Sequence, residues 1–280
     1  MTPPAAPGAP SSIAQARATW TRWWWLWLVT FAIGLVAFAP AALFEWAFNG
    51  TPAASPRFVA DGGTIWRGQG RIAIASDNAA AGVAGVVIPV SWQFDPLSLL
   101  RLRLGFFTSA SAAQLAGRAH FGLGFASVEL SDTVIEADAQ VVSMLNSALR
   151  LLGPTGKIRL HQSAGERLVV KPPRRSDDAW RVDGLLGVDA ETLAFSGMVN
   201  APVGSHAIRL QGSGAAIDVN VLRSSGPLKL EGTGVVTLTA PRRVSFSGFA
   251  TAATDAPASL RQIGPIGADG RQRIEVNAAW

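Results

Sequence analysis

The sequence predicts a mainly β protein, in which one N-terminal transmembrane helix precedes a Gly-rich, largely antiparallel β domain with short capping helices. Three observations predict this fold class. An apolar run near the amino terminus has the length of a membrane span, apolar residues then recur at every second position, and glycine repeatedly interrupts that alternation. The 29 glycines, 17 prolines and only 15% charged residues are typical of turn-rich β structure.

The predicted transmembrane helix covers residues 23–48, and the run from Trp23 to Phe44 contains no charged residue. As a helix this run reaches about 33 Å, against a hydrocarbon core of about 30 Å. A cleaved signal peptide is the alternative, because Ala37-Phe38-Ala39 resembles a cleavage site, although the apolar run is unusually long and Pro40 follows the cut. The expected anchor side chains are Trp23, Trp24, Trp25, Trp27, Phe31, Leu35, Phe38 and Phe44.

The charges beside this helix predict its orientation. Arg17 and Arg22 precede it, whereas Glu45 lies at its other end and the next basic residue is Arg57. Because basic residues stay on the cytoplasmic side of a membrane, residues 1–22 are predicted to form a cytoplasmic tail. Everything from residue 49 onward is then exported, and the anchor is expected to contact membrane lipid.

Strands are predicted where apolar and polar residues alternate with a period of two. Glycines at the ends of these segments indicate tight turns or bulges. The clearest segments are Arg71–Ala75, Lys157–Leu160, Ile208–Gly212, Leu228–Gly232, Val235–Thr239, Val244–Gly248 and Arg273–Val276.

Two internal repeats are predicted, over residues 49–171 and 179–280, joined by a Pro- and Arg-rich linker at 172–178. Each would consist of several strands in a twisted sheet or β-groove, closed by a short helix and a final strand. The helices are predicted at 141–152 and 258–263, and each ends at a Gly-Pro pair. The first should bury Leu145, Leu149 and Leu152 against the sheet. Chance similarity in a Gly-rich chain is the alternative.

The sequence offers no recognisable catalytic chemistry. Cysteine is absent, and the three histidines, His120, His161 and His206, have no second ligand at metal-binding spacing. The pair Asp177-Asp178 follows Arg174-Arg175, as in a solvated loop. We therefore expect no catalytic residue, cofactor or metal ion, and the scattered basic residues do not indicate a nucleic-acid surface. The protein is predicted not to be an enzyme.

Four residues are candidates for interaction. Trp66 and Trp92 either pack in the sheet core or cap its edge, or one of them is an exposed anchor for a partner. Arg101 and Arg103 alternate with leucines, which predicts a strand with one basic and one apolar face. That basic face is either solvated or in contact with membrane phosphates.

With these residues laid out, the sequence resembles the type II secretion system protein N family. The likeness runs from Pro40-Ala41 at the end of the anchor to the hairpin element Gly226–Gly232, and depends on the order of its segments. The segments between are Gly63–Gly70, Val90–Leu100, the Leu-rich helix into Leu152-Gly153, and the strand at Trp180. The resemblance implies a bitopic inner-membrane protein with a periplasmic β domain, attached to a machine that exports folded proteins.

The expected function is that of a non-enzymatic inner-membrane accessory subunit, which contacts other type II secretion subunits in the periplasm. Free sheet edges could accept a strand from such a partner. The alternative is a lipid-binding or lipid-transfer module similar to AsmA-like envelope proteins, with lipid in a β-groove. An apolar groove along the sheet would favour the lipid alternative, and a polar surface would favour protein contact.

Overall fold

The computed structural model describes residues 12–48, 57–74, 86–144, 153–173, 178–196, 199–262, 264–267 and 270–279, with side chains in the first helix from Trp24 onward. The mainly antiparallel β architecture expected from the alternation is confirmed, because the strands join in one large sheet. The cytoplasmic tail up to residue 11 and the Leu145, Leu149 and Leu152 face lie outside the described residues.

Two helices, not one, occupy the region of the predicted membrane helix. Helix α1 spans Ser12–Ala37, and helix α2 spans Ala42–Phe48. The break falls at Pro40, whose ring and missing N–H oppose continuation of a helix, and Pro40 instead forms a β-bridge with Thr64. Within the described residues, no helix combines the length and hydropathy that a membrane crossing requires. The transmembrane span therefore stays a prediction.

The described residues after α2 form fourteen strands, most of them joined by short turns. The short helix α3 (Ala139–Met144) and two 3-10 helices (Pro96–Arg101 and Ala258–Gln262) lie between strands. The strands are β1 (Arg57–Gly63), β2 (Arg67–Ile74), β3 (Val86–Asp95), β4 (Leu104–Ser111), β5 (Leu115–Gly124), β6 (Ser127–Asp138), β7 (Pro154–His161), β8 (Arg167–Lys171), β9 (Arg181–Phe195), β10 (Val199–Gly214), β11 (Ala216–Ser225), β12 (Leu228–Thr237), β13 (Arg243–Ala252) and β14 (Gln272–Ala279).

The sheet is an antiparallel meander in which each strand pairs with the next, except between β6 and β9. There β7 and β8 share one strand position, β7 pairing with one end of both neighbours and β8 with the other. Gln162 lies where the two meet, and its side-chain Nε2 donates to the carbonyl oxygens of Leu130 and Leu185, both at 3.2 Å. A buried side chain thus replaces ladder hydrogen bonds at the interruption.

The two halves of the chain share an order of five strands, a short helix and a final strand, although the 3-10 helix Pro96–Arg101 has no counterpart between β10 and β11. Strands β2–β6, helix α3 and strand β7 correspond to β9–β13, the 3-10 helix Ala258–Gln262 and β14. In each half the short helix covers an apolar cluster. Val141 of α3 packs with Ile74, Val86 and Ile88, while Leu260 packs with Val203, Leu228 and Ala250. The described ends of the predicted linker, residues 172–173 and 178, connect β8 to β9, which are paired neighbours in the same sheet.

Candidate functional site

The first candidate site is the helix–sheet joint, which we define as residues 36–41, at the end of α1 and just after it, together with residues 63–66, from the last residue of β1 to the start of β2. Two main-chain hydrogen bonds tie these segments together. The amide of Ile65 donates to the carbonyl of Ala39 at 2.9 Å, and the amide of Ala41 donates to the carbonyl of Gly63 at 3.1 Å. The chain leaving α1 is thus bonded to the first hairpin of the sheet like a short extra strand.

Trp66 adds a side-chain link to this joint. Its indole Nε1 donates to the carbonyl oxygen of Val36 at 2.8 Å, and its ring meets the Phe94 ring edge-on with centroids 4.9 Å apart. Val36 belongs to the last turn of α1, where helix carbonyls lack an intrahelical partner. Trp66 therefore connects the end of the helix to β3.

Trp92 lies under the joint in what we call the aromatic cluster, formed by Trp92, Phe106, Phe44, Phe58 and Phe94 with two alanines. Its side chain is buried, and its Nε1 donates to the carbonyl oxygens of Thr64 and Ile65 at 3.2 and 3.1 Å. A Cβ atom at Gly68 would overlap the Trp92 ring, which explains glycine at this position. Of the two tryptophan candidates, Trp92 thus occupies the core and Trp66 the joint.

The predicted anchor residues separate into two groups. Six of them, on α1 or just after it, expose their side chains: Trp24, Trp25, Trp27, Phe31, Leu35 and Phe38. Phe44 belongs to α2 instead and packs edge-on against Trp92, with ring centroids 5.6 Å apart. The side chain of Trp23 lies outside the described part of the molecule.

The prediction of a strand that carries Arg101 and Arg103 is wrong. Residues Pro96–Arg101 form a 3-10 helix because the Asp95 side chain caps it, accepting a 3.0 Å hydrogen bond from the amide of Leu97. Arg103 pairs with the buried Glu129, which Arg167 also contacts at 3.3 Å. Arg101 is exposed to solvent.

The residues Pro96–Leu102, which we call the leucine turn, are the functional candidate that sequence reasoning missed. The alternation of leucine with arginine suggested one buried and one solvated face. The structure instead exposes Leu97, Leu99, Leu100 and Leu102 together. The available signal was the Asp95-Pro96 pair, which is typical of the start of a helix or turn.

Two cavities bear on the choice between protein contact and lipid binding. The larger, of about 980 Å³, lies over strands β1–β6, and its lining combines the charged residues Asp61, Arg67, Arg118 and Asp132 with the apolar residues Trp92, Phe107 and Ala119. The smaller, of about 520 Å³, lies between α1 and the leucine turn and is lined only by apolar residues and Trp66. The larger cavity therefore has a wall of mixed polarity that includes charged side chains, whereas the smaller cavity, beside the joint, is apolar.

The three histidines lie on three different strands, β5, β7 and β10, and have separate partners. His120 Nδ1 is 3.1 Å from the Ser131 hydroxyl, and His161 Nδ1 is 3.3 Å from Asp189. Burial lowers the pKa of His206, whose Nδ1 is 2.8 Å from the Ser224 hydroxyl. The described residues include no group of three or more side chains placed to bind a metal ion.

Comparison with known proteins gives one match. The model of the family described as type II secretion system, protein N, matches residues 61–274, from the end of β1 into β14. No curated protein and no solved structure matches the sequence. The match includes Trp66, Trp92 and the leucine turn, and both corresponding halves of the sheet.

Proposed function

Because the chain belongs to the type II secretion system protein N family, we propose that it is an accessory subunit of this secretion machinery that acts by protein contact and catalyses no reaction. The family match over residues 61–274 is the observation that carries the proposal. The proposed location is the inner membrane, with a single pass, a cytoplasmic amino terminus and the sheet in the periplasm.

Helix α1 supports the proposed membrane anchor. Apart from Thr30, its described side chains are apolar, and most of them are exposed, including Trp27, Phe31, Ile33 and Leu35. A helix that is apolar on all sides needs an apolar environment, either a protein core or a bilayer. Among the described residues, a hydrogen bond from Trp66 to Val36 joins the last turn of α1 to the sheet. The bilayer is therefore the environment that we propose for the rest.

The two edge strands of the sheet differ in how far they are covered. This difference supports β14, the more open edge, as the contact surface. Edge strand β1 is covered by α2, and the Glu45 carboxylate accepts a 3.4 Å hydrogen bond from the amide of Ala60. Edge strand β14 is covered at its start, where the amide of Arg273 donates to the carbonyl of Pro265 at 3.0 Å. Among the described residues, nothing pairs with its outer side beyond Ile274.

We propose that a strand of another secretion subunit adds to this open part of β14. In an antiparallel strand, alternate residues direct their main-chain groups to the same side. The amide of Arg273 points outward, so those of Glu275 and Asn277 do as well. These outward groups would form the ladder with the partner.

The two halves of the sheet are proposed to be repeats of one unit, 49–171 and 179–280, since their elements follow the same order. The lipid-groove alternative is not proposed as a second function. The larger cavity over the sheet carries the charged side chains of Arg67, Arg118 and Asp132 in its lining, which does not favour a purely apolar lipid groove there.

Two variants at one position test the proposal. Asn277→Pro removes one outward N–H without removing a bond to β13, and proline is tolerated at such edge positions. Asn277→Ala removes only the side chain and is the matched control. The full chain is purified from detergent-solubilised membranes after cross-linking. We expect other secretion subunits to accompany the wild type and the alanine variant, and to be lost from the proline variant.

Two outcomes would contradict parts of the proposal. Equal recovery of subunits with the proline variant, at normal protein levels, would exclude β14 as the contact. Recovery of no secretion subunit with the wild type would exclude the accessory-subunit role itself.

A further inference from the structure

The leucine turn exposes more apolar surface than a solvated turn requires. Leu97, Leu100 and Leu102 are 70%, 83% and 79% exposed, and they lie within six residues of one another. Single exposed leucines are common on protein surfaces, but a contiguous apolar group indicates an interaction site. The leucine turn therefore indicates contact with an apolar partner.

This turn is rigidly built. The buried Ser98 hydroxyl lies 2.6 Å from the carbonyl oxygen of Asp95 and 3.0 Å from that of Arg103, and it accepts a 2.6 Å hydrogen bond from the amide of Gly105. Leu102 has a φ of 54°, a left-handed conformation that is unfavourable for a bulky residue. Such strain persists only where the surroundings hold it, and it is concentrated at functional positions.

The leucine turn lies beside the end of α1. Leu99 of the turn and Leu104 after it share the walls of the apolar cavity with Ile33 and Val36 of α1. Phe38, just after α1, is largely exposed as well. The exposed apolar surface of α1 therefore continues onto the sheet domain.

The neighbouring hairpin extends the same surface. The Arg103 side chain runs along the end of β5, near Gly122 and Gly124. The turn that follows β5 carries Phe125, which is fully exposed. Three segments, at Phe38, Leu100 and Phe125, thus present apolar side chains at one end of the sheet.

Charge identifies the occupant of this surface. Arg101 is exposed among the leucines, whereas the nearby carboxylates are engaged, Asp95 in the turn's cap and Glu129 between two arginines. Projecting leucines with an adjacent cation fit the interface of an anionic bilayer, where aliphatic side chains enter the acyl boundary and arginine reaches phosphate.

We propose that the leucine turn inserts into the periplasmic leaflet beside α1, with Arg101 contacting phospholipid phosphates, and thereby holds the sheet with this end on the membrane. The inference rests on the proposed function, because it takes α1 to be in the bilayer. It adds a second membrane contact that fixes the orientation of the sheet, so that the opposite end is directed into the periplasm.

The absence of cysteine from the chain makes a direct test possible. Leu100→Cys in the full chain is labelled with an environment-sensitive fluorophore and reconstituted in phosphatidylethanolamine and phosphatidylglycerol vesicles, with or without brominated acyl chains. The matched control is Ile266→Cys, also a mostly exposed aliphatic position, at 65%. It lies between β13 and β14, at the opposite end of the meander from the leucine turn.

At Leu100 we expect emission at shorter wavelength than in detergent-free buffer, and strong quenching by brominated lipid. The probe at Ile266 should report water in both vesicles. Adding Arg101→Gln to the Leu100→Cys chain should weaken the quenching, and replacing phosphatidylglycerol by phosphatidylcholine should weaken it similarly.

Flotation of the vesicles separates the two proposals. If the chain floats with vesicles after alkaline washing but the Leu100 probe reports water, the leucine turn does not enter the membrane and the inference is overturned. If the chain does not float with the vesicles, the proposed membrane anchor in α1 is contradicted, and with it the inference that rests on it. A Leu100 probe shielded only after secretion subunits are added would also overturn the inference, in favour of a protein partner.

Discussion

The indole Nε1 of Trp66 donates a 2.8 Å hydrogen bond to the carbonyl oxygen of Val36, and this bond joins the last turn of α1 to the first hairpin of the sheet. Two main-chain hydrogen bonds, from Ile65 and Ala41, accompany it. The helix therefore leaves the sheet in a fixed direction. The proposed role requires such a connection, because the membrane anchor has to hold the sheet in a fixed orientation toward its partner.

Replacing Trp66 with Phe should loosen the joint. The ring contact with Phe94 is kept, but the hydrogen bond to Val36 is lost, so the free energy of unfolding should fall by about 1 kcal/mol. Amide hydrogen exchange at Ile65 should become faster. Urea unfolding and exchange of the detergent-solubilised chain measure both. Trp180→Phe, at a solvent-exposed position, is the control; equal effects of the two changes would contradict a special role of Trp66.

Two truncations should separate anchoring from folding. Replacing residues 1–37 with a cleavable signal peptide keeps Ala39, Ala41 and Phe44, and so should leave the sheet folded in the periplasm but abolish secretion, because a free domain lacks the effective concentration that tethering gives. Removal of residues 1–48 also removes Phe44 from Trp92, and the domain should unfold at lower temperature. Export is assayed in a strain lacking the native protein. Full export by the first truncation would exclude the tethering argument.

Leu260→Ala should destabilise the second half of the sheet. Leu260 is 2% exposed and packs against Val203 and Leu228, so the change leaves a cavity that costs about 2–5 kcal/mol. The exposed Leu222 is the matched control, and Leu222→Ala should change stability by no more than about 0.5 kcal/mol. Denaturant unfolding of the two variants is compared; similar small losses would mean that the 3-10 helix does not pack there.

His206 should make stability depend on pH. Burial lowers its pKa, so below the unfolded value of about 6.5 the unfolded chain binds a proton more readily than the native chain. Above that pH, His206 does not lower the free energy of unfolding. As the pH falls below it, the free energy of unfolding decreases, because the unfolded chain gains the proton first. His206→Gln removes this titration, so its free energy of unfolding should fall less between about pH 8 and about pH 5. Identical pH slopes for variant and wild type would show that His206 is not responsible.

The triple change of His120, His161 and His206 to Gln should leave export close to normal. The proposed role needs binding surfaces, and none of the three side chains belongs to β14, the leucine turn or the helix–sheet joint. Secretion is measured together with the steady-state level of the variant. Loss of export at a normal protein level would falsify the non-enzymatic proposal.

Period-two alternation, which depends only on neighbouring residues, correctly predicted several of the strands. The segments Ile208–Gly212, Val244–Gly248 and Arg273–Val276 lie in β10, β13 and β14. The predicted segments Leu228–Gly232 and Val235–Thr239 belong largely to one strand, β12. Glycine there does not end the strand, because it lies opposite bulky neighbours such as Phe246.

The candidate site was less predictable. Trp66 and Trp92 have the same sequence context, an isolated tryptophan in or beside a strand, yet one bonds to a helix carbonyl and the other is buried. Arg101 and Arg103 follow a strand pattern, but the side chain of Asp95 starts a 3-10 helix before them. In each case the outcome depends on a group brought close by folding.

The sequence by itself determined the mainly antiparallel fold class and the apolar character of the amino-terminal helix, because composition and short-range periodicity express these directly. The family followed instead from a resemblance in the order of several segments along the chain. Only the tertiary structure decided how β7 and β8 share one strand position, which edge stays open, and which leucines face outward. Such features depend on contacts between distant residues, as where Gln162 bonds both Leu130 and Leu185. A local pattern specifies whether a segment tends to form a helix or a strand, but which strands pair is a property of the whole sheet.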